Sequence, residues 1–229
     1  MAQYLNSGHA LSPTPYNCLV DVESLRSDYL QGQLDEASLS PDPFEQFASW
    51  LEAALVANLP EPHAMTLSTV SAQGRPSSRV VLLRGHGPEG FFFFTNYHSR
   101  KGQELAQNPQ AALSFWWPQL ERQVRIEGVI TKAEPQRSDS YFASRPYSSQ
   151  AASAASPQSQ TIPSRDDLLG RIEQIQAQFP QAIPRPDHWG GYVLAPDYFE
   201  FWQGRQSRIH DRFAYRQADG SWLIERLAP

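Results

Sequence analysis

A chain of 229 residues, 40% hydrophobic and 19% charged, has apolar content for one sizeable core or at most two small ones. Its net charge of −5 gives no global basic balance for nucleic acid, and the lone Cys18 excludes an internal disulfide framework. No apolar run is long enough to span a bilayer, and no basic-then-apolar leader opens the chain, so the expected location is the cytoplasm.

Residues 1–20 are polar, carry prolines and show no period, so a flexible arm is expected ahead of a single domain over 21–229. A short helix over Val22–Leu30 would put Arg26 and Tyr29, three apart, on one face. Asp42-Pro43 is a helix start, a capping residue followed by Pro at the first helical position. Phe44, Phe47, Leu51 and Leu55 then follow at helical spacing to about Asn58.

From Ala64 the period changes to two. Strands are expected over Met65–Val70, Arg79–Arg84 and Gly90–Thr95, with turns at Ala72–Pro76 and Gly87–Gly90 between them. Ser99 caps a short helix to Ala106. Ala111–Trp117 and Gln123–Ala133 read as strands, and Pro135–Ala143 as a helix. The Ser/Ala/Gln-rich stretch Ser144–Pro163 reads as a loop or a weak helix. Ser164, with Asp167 three residues on, caps a helix that puts Leu168, Leu169, Ile172, Ile175 and Phe179 on one side. After a linker at Pro180–Pro186, strands are expected at Gly191–Leu194 and Tyr198–Trp202. A hairpin of Arg208–Arg216 with Trp222–Arg226 then turns at Ala218-Asp-Gly220. Many short antiparallel strands with flanking helices give a β-rich α+β fold, a barrel with helices around it.

The stretch Glu200–Phe213, EFWQGRQSRIHDRF, carries the sharpest chemical signal. Arg208, His210 and Arg212 recur every second residue. On a regular strand they would line one face. Such a face suits a planar anionic ligand, because Arg binds phosphate bidentately and stacks on rings. Trp202 would share the parity, although Gly204 marks a turn or bulge between them. The same spacing also suits the solvated side of an edge strand. The apolar Ile209 and Phe213, and the carboxylates of Glu200 and Asp211, weigh toward a built site. No His, Cys and carboxylate cluster has metal-ligand spacing, so no metal is expected.

This stretch resembles the C-terminal signature of the pyridoxamine 5′-phosphate oxidases: Glu-Phe-Trp-Gln-Gly, a short spacer, then Arg-aliphatic-His-Asp-Arg. The resemblance extends over roughly residues 23–229. It implies an FMN-binding split β-barrel, Greek-key-like, assembled as a homodimer. It further implies oxidation of pyridoxamine and pyridoxine 5′-phosphate to pyridoxal 5′-phosphate, with O2 reduced to H2O2. By the same resemblance FMN would be held by Arg79, Val80, Val81, Leu82, Leu83 and Arg84, then Phe94 and Thr95, then Arg100 and Lys101. Gln123, Gln158, Ser159, Trp202 and Arg212 would complete the cofactor set. The substrate would meet Arg26, Tyr29, Arg84, Tyr141, Arg145 and Ser149, with Arg208 and His210 as catalytic residues against its ring. Three positions depart from the family pattern: Arg84 stands for the usual Lys, Phe94 for Tyr, and Ala152-Ser153-Ala154 for Gly-Ala-Trp. A split-barrel oxidase for another ring, of the phenazine type, and a non-catalytic binder of FMN or pyridoxal phosphate are the alternatives. No nucleic acid or membrane partner is implied.

Overall fold

The computed structural model describes residues 28–229, so the N-terminal arm, Arg26 and most of the Val22–Leu30 segment lie outside the described residues. Residues 28–30 are not helical. Helix α1 (Pro43–Val56) starts where the sequence expects, with the Asp42 carboxylate accepting from the Phe44 N–H at 2.8 Å. It buries Phe47, Trp50, Leu51 and Ala54. The Phe47 ring meets Phe91 and Phe115 at 4.9 and 5.0 Å, so this one helix closes over the apolar interior of the sheet.

The sheet is antiparallel throughout and comprises β1 (Ala64–Val70), β2 (Pro76–Leu82), β3 (Gly85–Gly87), β4 (Gly90–Asn96), β5 (Gln110–Trp117), β6 (Arg122–Lys132), β7 (Trp189–Gln203), β8 (Asp211–Ala218) and β9 (Ser221–Arg226). Its main path runs β2-β1-β5-β6-β7-β4-β3. The two ends of that path are one continuous chain segment. The Leu83 N–H still donates to His63 O on the β1 side, while the Arg84 N–H donates to Phe92 O on β4. Residues 82–85 therefore change partners, and the sheet curls into a barrel, with aromatic side chains from β4, β5 and β7 filling it.

Two expected strands at 191–194 and 198–202 are in fact one, the 15-residue β7. On one side β7 pairs with β6 along its length. On the other it pairs first with β4 and then with β8. Pro196, which has no N–H to donate to a ladder, falls in the gap between those two partners. The register shift beside it, at Glu127/Gly128, absorbs the irregularity. A side chain on Gly128 would strike the Ala195 carbonyl.

One further expectation is narrowed to its helical alternative, and one is corrected. Residues 147–155, read as a loop or weak helix, form α4 (Tyr147–Ala155). The tertiary context stabilises this Ala-rich segment: Ala151 is fully buried, and the Tyr147 hydroxyl donates to Phe179 O at 3.0 Å. That bond ties α4 to the C-terminus of α5 (Arg165–Gln178), the helix expected after Ser164. The C-terminal hairpin begins at Asp211, not Arg208. Residues 206–208 make a tight 3-10 turn, with Ser207 and Arg208 at φ 56° and 61°. Arg208, His210 and Arg212 consequently do not alternate on one strand face. The hairpin turn itself is Asp219-Gly220, both at positive φ, as a two-residue connection requires.

Candidate active site

A cavity of about 470 Å³ opens beside β2, within the size range of small-molecule sites. Strand β2 and the turn after it contribute Arg79, Val80, Val81, Leu82 and Arg84, and β4 contributes Phe94 and Thr95. Lys101 enters from α2 (Arg100–Gln107), and Tyr141 and Arg145 from the end of α3 (Pro135–Ser144). Ser149 and Ser153 on α4, with Pro146, Gln158 and Trp189, complete the wall.

One end is built for an anion. The Ser99 side chain caps α2, whose free N–H groups and dipole favour negative charge. Lys101 is buried there; its Nζ donates to Gln158 Oε1 (3.0 Å), Thr95 Oγ1 (3.2 Å) and Ser99 Oγ (3.3 Å). All three partners are neutral. Burial, with Arg79 nearby, therefore pulls the ammonium pKa down to about 8 against the opposing pull of Glu104. Glu104 is buried behind the cations. Its Oε2 accepts from Thr69 (2.5 Å), Ser77 (2.6 Å) and Arg79 (3.3 Å), and its Oε1 from Arg100 (2.9 Å). Burial would raise its pKa, but the hydrogen bonds from Ser77, Thr69 and Arg100 outweigh that and hold it at about 2.

The lining also has an aromatic and cationic part. Tyr141 stacks on Phe94 at 4.0 Å, and Phe94 on Trp189 at 5.6 Å. The Arg145 guanidinium lies over the Trp189 ring at 4.8 Å and donates to Ser153 Oγ at 2.8 Å. Arg84 lines the same space.

A second cluster runs across β5, β6, β7 and β8. Trp116, Gln123, Trp202 and Arg212 are register partners across β5, β6, β7 and β8, forming a row perpendicular to the strands. His210 packs on Trp202 at 4.6 Å and against Tyr29 at 5.6 Å. Its Nδ1 accepts from the Arg205 N–H at 3.1 Å, which leaves the ring proton on Nε2. Burial and the charge of Arg208 lower its pKa, with Asp211 opposing, and both effects favour the neutral ring. Arg212 is tied to the buried Glu200 (2.8 Å) and to Ala228 O (2.8 Å). Glu200 also pairs with Arg125 at 3.0 Å.

The sequence-derived candidates thus divide in two. Arg79, Val80, Val81, Leu82, Arg84, Phe94, Thr95, Lys101, Tyr141, Arg145, Ser149 and Gln158 share the cavity. Tyr29, Gln123, Trp202, His210 and Arg212 gather on the second surface. Leu83 belongs to the core and does not line the cavity; nor do Arg100, which turns to Glu104, or Ser159 and Arg208. Trp189 and Glu104 are not among the sequence candidates, and Ser153 is marked there only as part of a departure from the family pattern. Only Glu104, four residues after Arg100, carried a local sign, the helical spacing of an ion pair.

Residues 51–179 match the family described as pyridoxamine 5′-phosphate oxidase, and residues 189–229 match the pyridoxine 5′-phosphate oxidase C-terminal dimerisation region. The chain belongs to the pyridoxamine 5′-phosphate oxidase family. It is 52% identical over 212 residues to the pyridoxine/pyridoxamine 5′-phosphate oxidase of Cupriavidus metallidurans, covering 92% of this chain and 100% of that protein. The enzyme of the same name from Paraburkholderia phymatum is 55% identical over 209 residues, 91% of this chain and 99% of the relative. Among solved structures, PhzG from Burkholderia lata in complex with tetrahydrophenazine-1-carboxylic acid is 32% identical. Its TM-score is 0.80, over 84% of this chain and 95% of that one. A pyridoxamine 5′-phosphate oxidase-related, FMN-binding protein from Nostoc punctiforme shares the fold at 19% identity and TM-score 0.67, over 83% of this chain and 100% of that one. The chain is accordingly an oxidoreductase with the split-barrel fold of this oxidase family.

Proposed function

We propose that the protein oxidises pyridoxamine 5′-phosphate and pyridoxine 5′-phosphate to pyridoxal 5′-phosphate, with FMN as cofactor and O2 as the final acceptor. The observation that carries the reading is the cavity in which Arg79, Arg84, Lys101 and Arg145 converge beside apolar β2 residues and stacked aromatic rings. Its residues fit the cofactor. The buried ammonium of Lys101, the Arg79 guanidinium and the N-terminus of α2 suit a phosphate. The Val80–Leu82 stretch and Phe94 offer apolar surface to a flat ring system. Held by Arg79, Lys101 and the N-terminus of α2, FMN would supply the two-electron acceptor, with O2 as the final acceptor and H2O2 as its product.

In this reading the chain's own residues bind and orient. Arg84, Tyr141, Arg145 and Ser149 hold the substrate phosphate. Arg208 and the neutral His210 hold the pyridine ring, with Tyr29 covering it. Gln123, Ser159, Trp202 and Arg212 complete the cofactor contacts, and Glu200 keeps Arg212 in place. Among the described residues, the cavity lining includes none of Tyr29, Gln123, Trp202, His210 and Arg212, and a dimerisation region is matched at the C-terminus. This supports a homodimer in which each site joins the cavity of one subunit to the Trp202 surface of the other. The ordinary charge balance and lone cysteine support a cytoplasmic location.

A second reading, oxidation of a reduced phenazine-type ring, is favoured by the 32%-identical PhzG structure. Peroxide-coupled turnover decides between them. Production of pyridoxal 5′-phosphate with one H2O2 per turnover is expected. Turnover of dihydrophenazine substrates alone would reverse the assignment.

A further inference from the structure

Ser153 lies on α4 and lines the cavity. Its Oγ accepts from Arg145 Nη1 at 2.8 Å, and among the described residues it is the one hydrogen-bond partner of that guanidinium. The flat face of the same group rests on Trp189 at 4.8 Å. Arg145 needs such fixing for two reasons. Its long side chain loses much rotamer freedom when ordered. Arg84 also lines the cavity and repels it when no anion lies between them. A hydroxyl can accept from Nη1 without adding charge, and it leaves the Nε and Nη2 protons unspent. The Ser stands within Ala152-Ser153-Ala154, where the family pattern reads Gly-Ala-Trp.

We infer that Ser153 is a positioning residue: it holds the Arg145 guanidinium in the cavity against the repulsion of Arg84, preset for the substrate's phosphate. The inference rests on the proposed role of Arg145 in gripping that phosphate. A preset donor lowers the cost of binding and not the chemical barrier.

The test uses the FMN-loaded enzyme, with inorganic phosphate as a competitive probe. Ser153→Ala is expected to raise both the KM for pyridoxamine 5′-phosphate and the inhibition constant of phosphate about fivefold to twentyfold. The kcat should change less than about twofold, the split expected of a lost binding contact. Ser153→Thr, which keeps the hydroxyl, should restore KM, a rescue that a packing role would not give. In an Arg145→Ala background, Ser153→Ala should add nothing. An unchanged KM in Ser153→Ala, or a rise of the same size without Arg145, overturns the inference while leaving the phosphate role of Arg145 standing. If Arg145→Ala itself alters neither KM nor phosphate inhibition, both fall together.

Discussion

Lys101 is the residue whose chemistry is most constrained by its surroundings. Burial and Arg79 lower its pKa to about 8, so a phosphate bound beside it favours the charged form and takes up a proton at higher pH. The dissociation constant of FMN is therefore expected to vary little between about pH 7 and 8. Above about 8 it should rise, approaching tenfold per pH unit once free Lys101 is mostly neutral. Lys101→Ala should weaken FMN binding at neutral pH by about 1.5–3 kcal/mol and lose this rise; flavin fluorescence titrations at about pH 7.5 and 9.5 check both. The sign is opposite for stability. Folding lowers this pKa, so the unfolded chain binds more protons in the window from about 8 to 10.5, and the contribution of Lys101 improves as pH rises through it. Much of this end of the cavity is legible in sequence, because the Ser99 cap announces a helix N-terminus and the two cations after it add charge for an anion. The supporting carboxylate is not. Glu104 carries only its helical spacing to Arg100 in sequence, and the β1-β2 pairing is what brings Thr69 and Ser77 to it across the fold.

At the scale of elements, the caps at Asp42 and Ser99 and the alternation of β1, β5 and β6 carry their own signals, and those elements stand where expected. For β7 and α4 the deciding contact is distant in sequence. β7 continues through Pro196 because its partner changes there, and α4 is helical because α5 receives it. The Arg208–His210–Arg212 alternation fails for a local reason, the left-handed turn at Ser207 and Arg208, which alternation alone cannot reveal. Tyr147→Phe should remove the α4–α5 tie to Gln176 O and Phe179 O and cost about 1–2 kcal/mol, read in chemical denaturation. A larger loss is expected at the start of β4. Gly90 has φ 120°, and a side chain there would collide with the Leu194 carbonyl. Gly90→Ala should therefore cost more than about 2 kcal/mol; a variant as stable as the parent would mean that the β4–β7 pairing yields there.

For the whole molecule, the decisive fact is that the candidate residues form two groups on one chain: the cavity with Arg145, and the Trp202 surface with His210. If each active site takes one group from each subunit, defects on the two groups must complement. Arg145→Ala and His210→Ala homodimers should both be weak at substrate concentrations below the parent KM. In a heterodimer carrying one of each, one site receives both lesions and the other receives none. Co-expression with two tags and tandem purification isolates that species. It should show about half the activity of the unmutated dimer, and about a quarter should be recovered from an unfractionated equal mixture of freely exchanging subunits. These fractions depend only on the count of intact sites, whatever the turnover rate. Recovery no greater than the average of the two parents would mean that each site is completed within a single chain, and the proposed joining of the cavity to its partner's Trp202 surface would be abandoned.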